Sequence, residues 1–125
     1  AYYHDIMPLK LSRPIINIDE SGFFTLNMQY FNYAVGSTMV STKFDELFGG
    51  ARREPESEIT QKEMDLACSI QIVTEEIVLK IAKKLRTETG ADYLCLAGGV
   101  ALNCVSNGHL LRESGYKDIW IQPAA

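Results

Sequence analysis

The sequence predicts an α/β fold: a β-hairpin near the N-terminal end, one long amphipathic helix, and a βαβ unit at the C-terminal end. Three observations carry this. Ile70, Val73, Ile77 and Ile81 recur at helical spacing, joined by Met64, Ala67, Val78, Ala82 and Leu85. Two short apolar runs, Tyr93-Leu94-Cys95-Leu96-Ala97 and Asp118-Ile119-Trp120-Ile121, flank a second helical stretch. Upstream, Asp19-Glu20-Ser21-Gly22 separates two strand-like segments and reads as a turn.

In order along the chain, residues 14–18 read as the first strand. Gly22 supplies the positive φ of the turn, and residues 23–28 read as the returning strand. An aromatic stretch follows, with Tyr30, Phe31, Tyr33, Phe44, Leu47 and Phe48 expected to pack beneath the hairpin. Residues 49–58 form a linker of turn and charged residues. Its Arg52 and Arg53 suit either an anion or local pairing with Glu54 and Glu56. Thr60-Gln61-Lys62-Glu63 has the form of a capping box, with the Thr hydroxyl capping an amide while Glu63 reaches back. The long helix then runs to a stop near Gly90 and, at ~30 residues, spans about 45 Å. The apolar run at 93–97 reads as a strand buried on both faces. Residues 100–112 read as one helix stopped near Gly115, and residues 118–121 as a strand parallel to the first, joined by a right-handed crossover. The 125 residues therefore read as one domain stretch, with zones 1–48, 49–58 and 59–125.

Composition narrows the function classes. Twelve basic and 16 acidic residues leave a charge of −4, which offers no excess to neutralise a nucleic-acid backbone. No apolar run reaches membrane-spanning length, and the start shows no cationic and apolar signal pattern. Cys68, Cys95 and Cys104 fit neither a metal knuckle nor a disulfide framework, so reduced thiols and a cytoplasmic location are expected. Both ends read as interior to a longer protein.

The segment Gly98-Gly99-Val100-Ala101-Leu102-Asn103 is the candidate site. A strand ends in two glycines, and the next helix is expected to begin at once. Without side chains, the glycines let a ligand approach the main chain. A helix N-terminus beyond the carboxyl end of a strand favours an anionic ligand such as a nucleotide. Asn103, read as one helical turn in, offers an amide to a ribose, base or phosphate. Neither a GxxxxGK[ST] loop nor a GxGxxG fingerprint is present. His109 is expected to be an exposed or partly packed helix residue and Cys104, with no general base beside it, structural; Glu75 and Glu76 are not a paired acid/base site, since consecutive helix positions point in different directions.

The run from Leu94 to Val105, with Asn107-Gly108, Leu111-Arg112 and Ile119-Trp120-Ile121-Gln122-Pro123-Ala124-Ala125, strongly resembles the O-carbamoyltransferases of nodulation-factor and antibiotic biosynthesis. Tyr30-Phe31, Phe44-Asp45-Glu46-Leu47-Phe48-Gly49, Arg53-Glu54-Pro55-Glu56, Met64-Asp65-Leu66-Ala67, Gln71 and Val73-Thr74-Glu75-Glu76 agree in the same order. The resemblance implies a ribonuclease-H-like domain of the actin-like ATPase and sugar-kinase superfold, related to the universal tRNA-threonylcarbamoylation enzyme. It implies that a separate domain makes carbamoyl-adenylate from ATP and carbamoyl phosphate. The kinase-like domain then passes the carbamoyl group to a hydroxyl of a sugar or related acceptor. Carried onto this sequence, Gly98 and Gly99 contact the adenosine or its phosphate, and Asn103 supports it.

The family's iron-type metal site uses an HxxxH pair and an aspartate beyond the Gln-Pro-Ala-Ala block. His4 and His109 do not have that spacing, so no metal ligand is assigned within residues 1–125, and this stretch alone is expected to be inactive. Apolar surface left bare is expected to meet other parts of the protein or a second copy. The alternatives are another nucleotide-binding member of the superfold, such as a sugar kinase or tRNA-modifying enzyme, and a non-catalytic α/β module.

Overall fold

The computed structural model describes residues 14–123. His4, assigned no role by the sequence, lies outside them. The fold is α/β, with two two-stranded sheets and three α-helices among the described residues. The chain divides into two compact units. One holds residues 14–17 and 24–70, the other residues 18–23 and 71–123. No helix is long and apolar enough to cross a membrane among the described residues.

In the first unit, β1 (Ile16–Ile18) pairs with β2 (Phe24–Leu26), and the Asn27 amide extends the ladder to the Ile15 carbonyl at 2.8 Å. The aromatic residues pack on one another: Phe44 stacks on Phe48 with centroids 4.5 Å apart, and Phe31 lies 6.0 Å from Tyr33 and 6.4 Å from Phe44. Phe44 and Leu47 sit on a short helix, α1 (Thr42–Leu47), where the sequence suggested none. Linker residues 49–58 contain no helix or strand. Arg53 donates to the Ser57 carbonyl, a third arrangement besides the two foreseen for it. Lys62 donates to the carbonyls of Gly50 and Ala51 at 2.6 and 3.0 Å, tying the linker to the next helix.

That helix, α2 (Gln61–Thr89), has the start and stop expected. Its N-terminal motif differs in one bond. Glu63 does accept from the Thr60 amide at 2.9 Å, but the Thr60 hydroxyl donates to the same carboxylate instead of capping an amide. An acceptor-only carboxylate draws the hydroxyl proton, so one side chain satisfies both groups. Gly90 follows at φ 65°, and its amide reaches the Arg86 carbonyl at 2.8 Å.

In the second unit, β3 (Tyr93–Leu96) and β4 (Asp118–Ile121) pair in parallel with Tyr93 opposite Asp118 and Cys95 opposite Trp120. Leu94 is buried with Ala82 of α2, Leu110 and Tyr116, and Val78, Leu79, Leu96 and Ile119 join this core. The two-sided burial expected of β3 is not found: Tyr93 is 68% exposed and Trp120 57%, with Cys95 between them also exposed. A two-stranded sheet with helical cover on the Leu94 face leaves the alternate side chains bare, because successive residues point to opposite faces. The α2 stripe divides likewise, Val73 and Ala82 being buried while Ile70 and Ile81 are exposed.

The hairpin turn also belongs to this unit. Asp19 accepts from the Ser21 amide and hydroxyl at 2.7 and 2.6 Å and from the Phe23 amide at 3.1 Å. The Ser21 hydroxyl, ahead of the burial that opposes it, holds the Asp19 carboxyl below its ordinary range. Gly22 has φ 84°, and a Cβ there would lie 2.6 Å from Ile81 Cγ1 and 2.9 Å from the Ile77 carbonyl oxygen. The turn therefore lies against the backbone of α2, and only glycine fits.

Gly22→Ala is expected to lower stability by about 2 kcal/mol through the left-handed backbone alone, with the clash adding to it; denaturant unfolding measures this. The Thr60 hydroxyl, then the Thr60 amide, hold the Glu63 carboxyl below its ordinary value. A folded value below the unfolded one means the cap's contribution is complete above the unfolded value. It is lost as pH falls through the lowered folded value. An NMR titration of Glu63 is expected to give a midpoint below that of an ordinary glutamate, and Thr60→Val to raise it.

Candidate functional site

The carboxyl end of β3 leads through Ala97 into Gly98 and Gly99. Gly98 takes φ 94° and ψ 165°, a backbone that side-chain-bearing residues rarely adopt. Both glycines are exposed, and a Cβ on either would meet nothing within 4 Å among the described residues. No described residue fills the space beside the turn. Beyond it, Gln122 donates to the Leu96 carbonyl at 2.9 Å, so the strand pair stays hydrogen-bonded up to the turn.

The helix expected over 100–112 is two elements. Residues Gly99–Leu102 form one turn of 3₁₀ helix, and α3 is Cys104–Glu113. Asn103, at φ −73° and ψ 92°, breaks the helix between them. It is the N-cap of α3 rather than a residue one turn in, accepting from the Ser106 amide at 3.0 Å. The physical reason is that a side-chain acceptor satisfies an amide that has no intrahelical partner, so Asn starts helices better than it continues them. The partial positive charge of a helix start therefore lies at Cys104 rather than at Gly98. The glycines open a four-residue 3₁₀ turn, and the helix of useful length begins at Cys104.

Asn103 is further engaged. Its Nδ2 donates to Gln71 Oε1 at 2.8 Å, and Gln71 Nε2 donates back to Asn103 Oδ1 at 3.2 Å. Gln71 Nε2 also donates to Glu75 Oε1 at 2.6 Å, and the other Glu75 oxygen lies 3.2 Å from His109 Nδ1 on α3. That approach is an ion-pair distance without in-line hydrogen-bond geometry, for Nδ1 is buried and makes no regular hydrogen bond. Asn107, also buried, donates to the Ala101 carbonyl at 2.7 Å and holds the 3₁₀ turn to α3. Sequence reasoning missed Gln71 and Asn107 as supports of the turn; the amide-bearing residues were visible, the pairing across 32 positions was not.

Glu75 and Glu76 have different partners, His109 and Lys80, as their adjacent positions imply. Cys104 and Cys95 are exposed and Cys68 half-buried, so the cysteines are less covered than core residues. No cluster of three or more His, Cys, Asp and Glu able to hold a metal occurs among the described residues. His109 faces the Glu75 carboxylate, and the other histidine, His4, lies outside the described residues. This donor set does not fit the iron-type site that the resemblance implies, and no step is routed through a metal. A separate groove of about 640 Å³ is lined by Glu20 and Ser21 of the hairpin turn and by Lys80, Lys83 and Lys84 of α2. Two of its lysines are already neutralised, Lys80 by Glu76 at 3.0 Å and Lys84 by Glu88 at 2.8 Å. It shares no residue with the glycine turn.

The glycine turn is thus exposed at the end of a parallel strand, and the residue that follows its 3₁₀ turn, Asn103, is paired with Gln71. The chain belongs to the carbamoyltransferase family: the family model described as the carbamoyltransferase N-terminus matches residues 9–125. It is 59% identical over 111 residues to a Synechocystis protein titled "Uncharacterized protein sll1178", covering 89% of this chain and 18% of that protein. It is 47% identical over 66 residues to nodulation protein NolO of Bradyrhizobium diazoefficiens, covering 53% of this chain and 12% of NolO. The same identity and span hold for nodulation protein NolNO of Sinorhizobium fredii, of which 10% is covered. The chain therefore spans less than a fifth of the length of these relatives. No solved structure matches it.

Asn103→Ala removes the cap of α3, worth about 1 kcal/mol. Hydrogen exchange at the Ser106 amide is expected to accelerate by about fivefold or more, while β3 amides keep their protection.

Proposed function

We propose that this stretch is the nucleotide-facing part of an ATP-dependent O-carbamoyltransferase with a ribonuclease-H-like domain. The observation that carries the reading is the open Gly98-Gly99 turn at the carboxyl end of β3, in a chain of the carbamoyltransferase family. The family membership favours carbamoyl transfer over the sugar-kinase and tRNA-modifying alternatives, and the emptiness beside both glycines favours ligand approach over a turn that serves packing alone.

In this reading Gly98 and Gly99 hold the adenosine or phosphate of ATP or carbamoyl-adenylate through the main chain. Backbone groups suit such a task because they are fixed by the fold before the ligand arrives and cost little reorganisation. Asn103 acts from behind. Its Oδ1 is occupied by Ser106 and Gln71, so it sets the start of α3 and leaves direct contact to the glycines. Carbamoyl phosphate supplies the carbamoyl group. The hydroxyl oxygen of a sugar or related acceptor then attacks the carbamoyl carbon of the adenylate, a C–O bond forms, the bond to the phosphate oxygen breaks and AMP departs. Positioning of the two reactants is the main service this stretch renders. Use of ATP and carbamoyl phosphate fits a cytoplasmic protein.

The test is Gly99→Arg in the full-length protein. The arginine would occupy the open space beside the turn. ATP-dependent carbamoyl transfer is expected to fall by about a hundredfold or more, with ATP affinity measured by calorimetry falling alongside and the thermal unfolding midpoint unchanged. Wild-type affinity in this variant would overturn the reading.

A further inference from the structure

Gln71 lies on α2, far in sequence from the glycine turn, yet it makes a reciprocal amide pair with Asn103 at 2.8 and 3.2 Å. Such a pair makes both bonds in two arrangements, related by flipping both amides together, since each amide must offer its oxygen to the other's nitrogen. Glu75 selects one of them. A carboxylate accepts and cannot donate, so at 2.6 Å it requires the Gln71 nitrogen on its side. With the nitrogen of Gln71 fixed, its oxygen is committed to Asn103 Nδ2. Asn103 Oδ1 is then directed at both Gln71 and the Ser106 amide. The residue so held is the one that ends the 3₁₀ turn begun by Gly99. Gln71 and Glu75 are both half-buried, which strengthens these bonds relative to the same pair in water.

We propose that Gln71, oriented by Glu75, is a positioning residue for nucleotide binding: through Asn103 it holds the Gly98-Gly99 turn in its ligand-ready backbone. This rests on the nucleotide reading of that turn and adds the part of α2 that keeps it in place. Neither side chain touches the ligand. Their loss weakens binding because the open turn gains alternative conformations, of which only a fraction binds.

The experiment is steady-state kinetics of the full-length protein with ATP as the varied substrate. Gln71→Leu keeps the volume and removes both amide bonds. The Michaelis constant for ATP is expected to rise about tenfold, the scale of two neutral hydrogen bonds, with kcat within about twofold. A role in helix stability alone would move the thermal midpoint and leave this split absent. An unchanged Michaelis constant, or a fall confined to kcat, overturns the proposal. Should Gln71→Leu fail to fold, Glu75→Gln carries the test. It keeps the shape but puts a donor as well as an acceptor beside Gln71, so the orientation is no longer forced; a rise of about threefold in the same constant is expected, and no rise overturns the proposal. Gly99→Arg separates the two ideas. If it loses ATP while Gln71→Leu and Glu75→Gln bind normally, the positioning role fails and the nucleotide reading stands. If it binds ATP as wild type does, the nucleotide reading fails, and the positioning role with it.

Discussion

The second unit depends on how one asparagine spends its hydrogen bonds. Asn103 ends a 3₁₀ turn through its backbone amide, and through its side-chain amide it starts α3 and pairs with α2. Each of these tasks meets a backbone or side-chain group that would otherwise lie unpaired in a half-buried place, where an orphan costs more than a made bond returns. The same residue thereby separates two functions that a continuous helix would merge. The helix is anchored in the core through Leu110, 1% exposed, while the glycines before it stay free of packing.

The core itself is one-sided. Leu94, Leu96 and Ile119 project toward the helices, and Tyr93, Cys95 and Trp120 project away. Alternation along a parallel strand pair guarantees this whenever only one face is covered. Parallel sheets are ordinarily sheltered on both faces. Here the Tyr93, Cys95 and Trp120 face is bare among the described residues.

Much of the fold was legible because it is written in local periods. The 3.6-residue apolar rhythm and the flanking Thr60 and Gly90 bracket α2 to the residue, and the two apolar runs give β3 and β4. The failures have physical causes. The helix α1 is six residues long, too short to display a period. The break at Asn103 is masked by the apolar residues around it, which keep a helical rhythm through a residue that is not helical. Its signal was nonetheless local: an Asn, among the strongest N-caps, three residues before the amide of Ser106. The glycine turn was legible as a break after the strand, whereas the amide pairing behind it was not. Gln71 sits on the α2 face with no chemical singularity of its own, and only folding brings it to Asn103.

That division follows from what each part must do. A site made of main-chain amides advertises itself by what is absent, since glycines are placed where a side chain would obstruct. Its precision cannot come from the glycines, which are the least constrained residues in the chain. It has to be imported from neighbours with fixed geometry. A reciprocal amide pair supplies direction through groups that carry no net charge themselves. On the nucleotide reading proposed above, an ionic tether at Asn103 would hold the turn as firmly but would repel or capture the anion. Neutral amides at 71 and 103, with the carboxylate of Glu75 one residue further back and faced by His109, meet both demands.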